Sequence, residues 1–157
     1  MSEEIVVRRL RLPDDATQEN AAGIALLAAQ LNPSDVPRSD VAWLWEMLSP
    51  ATTHLLVAQA DAAIVGMLTV CAFAVPNGWR AYIEDVAVDQ AHRKRGIARR
   101  LFEEAFRIQE ENGWRTLQLT SRPSREEANL MYPILGFTLA RTNVYRRSPY
   151  PSTKYLP

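Results

Sequence analysis

Apolar positions along the first half of the chain change several times between a strand-like and a helical pattern. Residues 5–12 predict a first strand that runs into a helix cap at residues 13–15. Apolar residues at three- and four-residue spacing then predict two short amphipathic helices, one on either side of Asn32 and Pro33. Turn residues separate the next apolar runs, which predict three consecutive antiparallel strands. These strands are residues 54–59, 64–74 and 80–88.

The second half of the chain predicts an alternation of helix and strand. Residues 95–112 carry an apolar stripe at helical spacing, and Gly113 follows in the usual position of a C-terminal cap. The strand that comes next, residues 116–121, should pair in parallel with the strand before the helix. Ser124 and Glu127 then form a capping box that opens a last helix, which ends at Gly136.

The last strand material is predicted in residues 137–147, as one strand or as two short ones. The order of elements indicates an α/β layer architecture with a mixed sheet. A chain of 157 residues has room for one ordinary domain, so we expect a single domain in residues 1–147. Residues 148–157, with three prolines, predict an irregular tail.

Composition excludes several classes of function. Basic and acidic residues each number 18, so no overall charge excess favours nucleic acid or an acidic membrane surface as the partner. The amino terminus does not resemble a signal peptide, and no apolar stretch is long enough to span a membrane, so we expect a cytoplasmic protein. Cys71 is the only cysteine, and His54 and His92 lie far apart, so neither a disulfide nor a metal site is expected.

The start of the third predicted helix carries cations where acids are expected. The first turn of a helix has a partial positive charge from unpaired N–H groups, so cations there cost stability. A bound anion such as phosphate would remove this cost, and Gly96 and Ala98 leave room for it beside the main chain. Solvated cations on an exposed helix are the competing interpretation. The cations are Arg93, Lys94, Arg95, Arg99 and Arg100.

The sequence contains neither a Walker phosphate loop nor a Gly-x-Gly-x-x-Gly dinucleotide motif. Instead, Arg-Lys-Arg-Gly-Ile-Ala in residues 93–98 resembles the Arg/Gln-x-x-Gly-x-Gly/Ala signature of the Gcn5-related N-acetyltransferases, the GNAT family. The preceding IEDVAVDQAH resembles the family's fourth strand and the loop after it. ANLMYPILGF, residues 128–137, resembles its second conserved segment. These pieces stand in the family's order and spacing.

The resemblance implies a GNAT-like fold with a mixed, mostly antiparallel sheet of six to seven strands, flanked by about four helices. The sheet would splay apart between its fourth and fifth strands, and acetyl-CoA would lie in the opening as co-substrate, without a metal. By similarity, strand backbone would pair with the pantetheine arm and main-chain N–H groups of the turn would hold the pyrophosphate. The residues implied in donor binding are Val86, Ala87, Val88, Arg93, Lys94, Arg95, Gly96, Ile97, Ala98, Arg99 and Asn129.

Acetyl transfer to an amine needs a base for the ammonium and an acid for the departing thiolate. Strict alternation along residues 80–88 puts Glu84 and Val86 on the face of Tyr82, so Glu84 is the candidate base; an ion pair with an arginine is the alternative. The resemblance implies Tyr132 as the acid. Pro133 departs from the family pattern, because a proline there predicts a kink that would re-aim the phenol.

Three functions follow from these residues. The leading one is an N-acetyltransferase that transfers acetyl from acetyl-CoA to a primary amine of a small molecule or of a protein or peptide, by direct attack in a ternary complex. Cys71, inside a buried apolar run, is interpreted as core rather than as an acyl carrier. The runner-up is a non-catalytic acyl-CoA sensor, which needs neither Glu84 nor Tyr132. The third is an interaction protein whose basic helix holds another anion, such as nucleic acid. The leading function involves neither nucleic acid nor a membrane and allows a homodimer.

Overall fold

The computed structural model describes residues 3–147, and the chain divides into two compact units, Met1–Arg122 and Pro123–Pro157. The first unit holds a sheet with three helices. Its strands are β1 (Ile5–Arg9), β2 (Thr53–Ala60), β3 (Ala63–Val75), β4 (Gly78–Val88) and β5 (Leu117–Leu119). Its helices are α1 (Gln18–Leu31), α2 (Val41–Leu48) and α3 (Ile97–Glu111), with a short 3-10 turn at Gln90–His92 before α3.

The five strands lie side by side in the order β1-β2-β3-β4-β5. The first four pair antiparallel, and β5 pairs parallel with β4, as the sequence predicts for a strand, helix and strand in succession. Parallel pairing covers only the three positions from Ala81↔Leu117 to Ile83↔Leu119, after which β4 continues to Val88. Beyond Ile83, β4 therefore continues without β5 beside it, as a sheet that opens between its fourth and fifth strands requires.

Apolar side chains cover both faces of the sheet. On one face, Leu27 of α1 and Leu44 of α2 belong to the same buried cluster as Leu55, Val57 and Met67 of the strands. On the other face, α3 buries Ile97, Leu101, Phe102, Ala105 and Ile108. Burial of a large aliphatic or aromatic side chain contributes about 1.5–3 kcal/mol, so these two layers stabilise the unit and fix the ends of the strands.

The second unit contains α4 (Glu126–Ile134). Pro133 lies in the last turn of this helix, where its missing N–H and its ring disturb few helical hydrogen bonds. The Leu135 N–H donates to the Met131 carbonyl at 3.1 Å, and Gly136 follows with φ 92°. Helical hydrogen bonding thus continues past Pro133 to the end of α4. None of the helices in residues 3–147 is long and apolar enough to cross a membrane.

Two helix starts differ from the sequence prediction. The cap expected at residues 13–15 is not used, because Asp15 accepts from Arg8 Nη1 at 2.7 Å and from the Arg11 N–H at 2.6 Å. The cap of α1 is instead Thr17, whose side chain accepts from the Asn20 N–H. Likewise, the predicted capping box does not form as expected, since Arg125 rather than Ser124 is the N-cap residue of α4.

The prediction of a strand in residues 137–147 is wrong, because that stretch contains no strand. Its apolar side chains are exposed: Leu139 is 99%, Val144 74% and Tyr145 89% accessible. Without a buried face, alternation alone does not select a pairing register. The described residues accordingly form five strands, fewer than the six to seven expected. The predicted tail at residues 148–157 lies outside the described residues.

Candidate active site

The loop that joins β4 to α3 is tied to α1 through Asp89. Gln30 Nε2 donates to Asp89 Oδ1 at 3.0 Å, the Ala91 N–H donates to Oδ2 at 3.0 Å, and His92 Nδ1 lies 2.8 Å from Oδ2. These contacts, with the Gln30 hydrogen bond as the largest cause, hold the pKa of Asp89 below its usual value. Sequence reasoning missed Asp89, although aspartates commonly open turns of this kind.

The backbone of this loop turns into α3 through two left-handed residues. Lys94 has φ 61°, and Gly96, the N-cap of α3, has φ 75°. In the part of the chain that the structure describes, no side chain caps this helix start. A Cβ at Gly96 would meet nothing within 4 Å, so the space beside Gly96 itself is open. Successive N–H groups in such a turn form a concavity suited to an anion.

Four of the five cations around this turn already have protein partners. Arg95 Nη1 donates to Glu3 Oε2 at 2.9 Å, and Arg99 Nε donates to Glu103 Oε1 at 3.0 Å. Arg93 and Arg100 donate to the backbone carbonyls of Val88 and Ile5 at 3.2 and 2.8 Å. The charge excess at the helix start is therefore smaller than the sequence suggests, and the backbone N–H groups are the main candidates for holding an anion.

The edge of β4 that faces β5 has no strand partner just before the turn, within the residues that the structure describes. Pairing with β5 ends at Ile83, while β4 runs on through Val86, Ala87 and Val88. The other edge of these residues pairs with β3, where Ala87 faces Met67 and Val88 faces Gly66. An extended chain could add to this free edge as another strand does. The three residues predicted to meet the pantetheine arm lie on it.

A β-bulge in β4 overturns the strict alternation assumed from the sequence. Thr69 pairs with Glu84 and Met67 with Ala87, so two residues of β4 stand opposite Leu68 alone. Directly opposed residues share a face, so Ala87, and not Val86, follows Glu84 on the face of Tyr82. Asp85 in the bulge has φ 52°, a left-handed value that aspartate adopts more readily than most residues.

Glu84 combines an accessible side chain with a raised pKa. Its side chain is exposed to solvent. Partial loss of water around the carboxyl group raises its pKa above 4.5, and the negative charge of Asp85 raises that pKa further. The same two carboxylates raise the pKa of the nearby Cys71 thiol, for which burial is the larger cause. A thiol held protonated is a poor nucleophile, in agreement with the interpretation of Cys71 as packing.

Asn129 and Tyr132 lie in the second unit and are both half-buried. Asn129 Nδ2 lies 3.5 Å from the Pro123 carbonyl, at the limit of a hydrogen bond. The Tyr132 ring meets Phe137 edge to face with 6.0 Å between the ring centroids. The remaining predicted site residues, including Glu84, the β4 edge and the turn before α3, are brought together in the first unit.

A cavity of about 200 Å³ lies between α1, α2 and the sheet. Its walls are mostly apolar, from Ala21, Ile24, Ala25 and Ala28 of α1, Trp43, Leu44 and Met47 of α2, and Leu55 and Met67 of the strands. Polar groups are few: Arg38, Asp40, Thr69 and Asp85. Sequence reasoning missed Asp85, whose position depends on the bulge.

Within residues 3–147, no group of three His, Cys, Asp or Glu side chains could hold a metal ion. The candidate site consists of a strand edge beyond β5, a left-handed turn, two neighbouring carboxylates and an apolar cavity. These features lie on a mixed α/β sheet, and several solved structures share that fold.

An aminoglycoside acetyltransferase from an uncultured soil metagenomic sample is similar with a TM-score of 0.78 and 21% identity, over 94% of this chain and 97% of that one. An aminoglycoside N-acetyltransferase in complex with CoA is similar with a TM-score of 0.77 and 18% identity, over 96% and 98% of the two chains. A transcriptional regulator from Bacillus halodurans C-125 has a TM-score of 0.71 and 27% identity, over 92% and 100%.

The sequence profile of the acetyltransferase (GNAT) family matches residues 21–137, well over half of the 157 residues. The chain belongs to the GNAT family of acetyltransferases, as the resemblance in residues 83–98 and 128–137 predicts. No functionally curated protein matches the sequence significantly.

Proposed function

We propose that the protein is an N-acetyltransferase that uses acetyl-CoA to acetylate a primary amine. The observation that carries this proposal is the free edge of β4 at Val86, Ala87 and Val88 leading directly into the left-handed turn at Lys94 and Gly96. In a member of an acetyltransferase family, such an edge suits the amide-bearing pantetheine arm and the turn suits the pyrophosphate. A related aminoglycoside N-acetyltransferase is in complex with CoA.

Each end of the donor has a proposed set of partners. N–H groups of Ile97, Ala98 and Arg99 start α3 and are the proposed pyrophosphate ligands, with Lys94 and Arg93 beside them. Arg95 and Arg99 act mainly as supports, because their side chains pair with Glu3 and Glu103. Asn129 remains a proposed pantetheine contact from the second unit, by family resemblance.

The proposed reaction is a direct transfer in a ternary complex. The ammonium of the acceptor gives a proton to Glu84, through a water where the distance requires one, and the neutral nitrogen attacks the thioester carbonyl carbon. A backbone N–H near Val86 stabilises the oxyanion. The C–N bond forms, the C–S bond breaks, and the thiolate takes a proton from Tyr132, which regains one as the attacking nitrogen loses its second proton. The products are an amide and free CoA, and no other reactant is needed.

The direct test measures thiol release from acetyl-CoA with a panel of amines, amino acids and peptides bearing free amino termini. We expect turnover with at least one amine and a loss of about 10²-fold in kcat for Tyr132→Phe, because the thiolate then leaves without a general acid. Phe fills the same volume and keeps the ring contact with Phe137. Unchanged kcat in Tyr132→Phe would remove this residue from the mechanism.

The proposed role of Glu84 as the base predicts how kcat/KM depends on pH. A base works in its deprotonated form, so kcat/KM should fall as the pH drops through the raised pKa of Glu84. Glu84→Gln keeps the size of the side chain and should lower kcat/KM by about 10²-fold or more while removing that acidic limb. Donor affinity should stay unchanged. A Gln variant with the same acidic limb would assign the base to another group.

A non-catalytic acyl-CoA sensor is the second candidate. The observation that favours it is the 27% identity to a transcriptional regulator over 92% of this chain. This alternative predicts that the protein binds acetyl-CoA but releases no thiol above the spontaneous rate with any amine of the panel. Isothermal titration with acetyl-CoA beside the thiol assay separates the two functions.

A further inference from the structure

The loop between β4 and α3, residues 89–96, is held in its turn by a continuous chain of side-chain contacts. We propose that Asp89 and His92 are positioning residues for acetyl-CoA, which fix this donor turn in the shape that binds the pyrophosphate before the donor arrives. The inference rests on the proposed function, which makes the turn the donor site. Neither residue is proposed to touch the donor itself.

Asp89 fastens the start of the donor turn to two other elements. Its backbone N–H donates to the Val65 carbonyl of β3 at 2.9 Å. Its carboxylate accepts from Gln30 of α1, whose own side-chain carbonyl accepts from the Gln90 N–H at 3.3 Å. Within the turn, the Ala91 N–H donates to the other carboxylate oxygen at 3.0 Å. The first residues after β4 can therefore move only if contacts to both α1 and β3 break.

His92 bridges the start and the end of the donor turn. Its Nδ1 lies 2.8 Å from Asp89 Oδ2, and its Nε2 lies 3.3 Å from Glu3 Oε2. The same Glu3 oxygen accepts from Arg95 Nη1 at 2.9 Å, and Arg95 directly precedes Gly96. The chain of contacts thus closes across the turn, from Asp89 through His92 and Glu3 to the residue before the N-cap of α3.

Both ring nitrogens of His92 face carboxylate oxygens, so the bridge depends on the charge of the ring. A neutral imidazole has one N–H donor and one acceptor, whereas an imidazolium has two donors. Only the imidazolium can donate to Asp89 and Glu3 at once. In the described part of the chain, the charged groups that face the ring are these two carboxylates and, across the shared Glu3 oxygen, the guanidinium of Arg95. Loss of the proton therefore breaks one of the two contacts and loosens the turn.

The donor turn needs such support because its backbone is unusual. Lys94 has φ 61°, a left-handed value that residues with a Cβ adopt rarely, and Gly96 has φ 75°. A loop free to leave this conformation would present its N–H groups to the pyrophosphate for only part of the time. The apparent donor affinity falls in proportion to the fraction of molecules in the competent shape. Contacts that raise this fraction therefore strengthen binding without touching the ligand.

Isothermal titration of the full chain with acetyl-CoA tests the role of Asp89. Asp89→Asn removes a negative charge beside the proposed anion site, so simple charge attraction predicts tighter binding. Positioning predicts the opposite, an affinity about tenfold lower, because the amide cannot accept from all of the donors that meet the carboxylate. Unchanged or tighter binding would overturn the inference.

Asp15→Asn is the matched control. Asp15 is also a loop carboxylate that accepts from a side chain and from a backbone N–H, here Arg8 Nη1 at 2.7 Å and the Arg11 N–H at 2.6 Å. It lies between β1 and α1, and these contacts involve no residue of the donor turn. We expect its donor affinity to stay within about twofold of that of the wild type. An equal loss in Asp15→Asn and Asp89→Asn would show a general effect on folding and refute the positioning role.

His92→Phe tests the bridge through its dependence on pH. Phe keeps a ring but donates no hydrogen bond. The wild type should bind acetyl-CoA about tenfold more tightly than His92→Phe at about pH 6, and no more than about threefold more tightly at about pH 8.5, since histidine side chains generally change charge in this range. The phosphates of the donor ionise identically in both titrations, so the ratio of affinities cancels their effect. A ratio that does not change with pH would contradict the role of His92.

Thiol release measured in parallel separates this inference from the proposed function. Positioning predicts a KM for acetyl-CoA about tenfold higher in Asp89→Asn, with kcat within about twofold at saturating donor. Binding that depends on Asp89 and His92 without thiol release supports the positioning role and contradicts the acetyltransferase proposal. Thiol release by the wild type with equal donor affinity in both variants contradicts the positioning role alone. Absence of acetyl-CoA binding by the wild type contradicts both.

Discussion

Glu84 and His54 show how one physical cause shifts two pKa values in opposite directions. Removal from water disfavours the charged form of any group, so it raises the pKa of the Glu84 acid and lowers that of the His54 base. The charge of Asp85 raises the pKa of Glu84 further. The charges of Arg9 and Arg11 lower the pKa of His54 further. The result is a poised carboxylate at the candidate active site and a neutral histidine in the core.

His54 makes the fold sensitive to acid. Its side chain is 4% exposed, its ring meets Trp114 edge to face at 5.6 Å, and its pKa is lowered to about 4. The unfolded chain takes up a proton on His54 near pH 6.5, whereas the folded chain does not. The contribution of neutral His54 to the free energy of unfolding is therefore fully present above pH 6.5. It is lost as the pH falls toward 4.

We therefore expect a loss of about 2–3 kcal/mol in the free energy of unfolding between pH 7 and pH 4.5 from His54. Urea titrations across this range measure the slope. His54→Phe keeps an aromatic ring against Trp114 and should flatten the slope, whatever its effect on stability at pH 7. An equal slope in that variant would contradict the role of His54.

At the residue scale, alternation predicted the face of Glu84 but not that of Val86. Glu84 lies on the face of Tyr82 as expected, whereas alternation fails one residue later because Asp85 adopts a left-handed conformation. That conformation depends on pairing between β3 and β4, which a single strand pattern does not encode.

At the scale of elements, β3 and α3 approach each other closely at Gly66. A Cβ at Gly66 would meet Ile97 Cγ2 at 2.9 Å and Leu101 Cδ1 at 3.3 Å. Ile97 is the first residue of α3, so the missing side chain at Gly66 fixes where the donor turn ends. The close approach thus connects core packing with the geometry of the site.

We expect Gly66→Ala to lower the free energy of unfolding by about 1–3 kcal/mol, because the added methyl group overpacks this contact. Displacement of Ile97 should also weaken acetyl-CoA binding. Gly23→Ala is the matched control: its Cβ would meet Ile64 Cβ at 3.2 Å, a contact between α1 and β3 that does not involve α3. Denaturant unfolding and donor titration measure both effects. Normal stability and donor affinity in Gly66→Ala would contradict the account of this contact.

Element types were predictable wherever a buried face enforced the pattern. The stripes of α1, α2 and α3 and the apolar runs of β2 to β4 were found, as was parallel pairing of β5. The ends of helices and strands were predicted less reliably, because competing hydrogen bonds determine where they fall. Asp15, for example, accepts from Arg8 and Arg11 instead of capping α1. Residues 137–147 carry strand-type residues but expose them, so the prediction of a strand failed there.

For the whole molecule, the family signal spans more than either compact unit. The GNAT profile covers residues 21–137, which begins in α1 and ends beyond α4 in the second unit. The expectation of one domain in residues 1–147 therefore stays a prediction, as do the roles of Asn129 and Tyr132. What the first unit supplies by itself is a donor edge, a turn, a base candidate and a cavity.

The central claim is that the turn before α3 binds the pyrophosphate of acetyl-CoA, and a pair of glycine variants tests it most directly. Gly96 and Gly113 flank α3 with φ 75° and 64°, and a Cβ at either would meet nothing within 4 Å. Substitution by alanine should therefore introduce a similar backbone strain of about 1–2 kcal/mol at each of the two positions. Isothermal titration should find acetyl-CoA affinity about tenfold or more weaker in Gly96→Ala and unchanged in Gly113→Ala. Equal affinity in the two variants would contradict the claim.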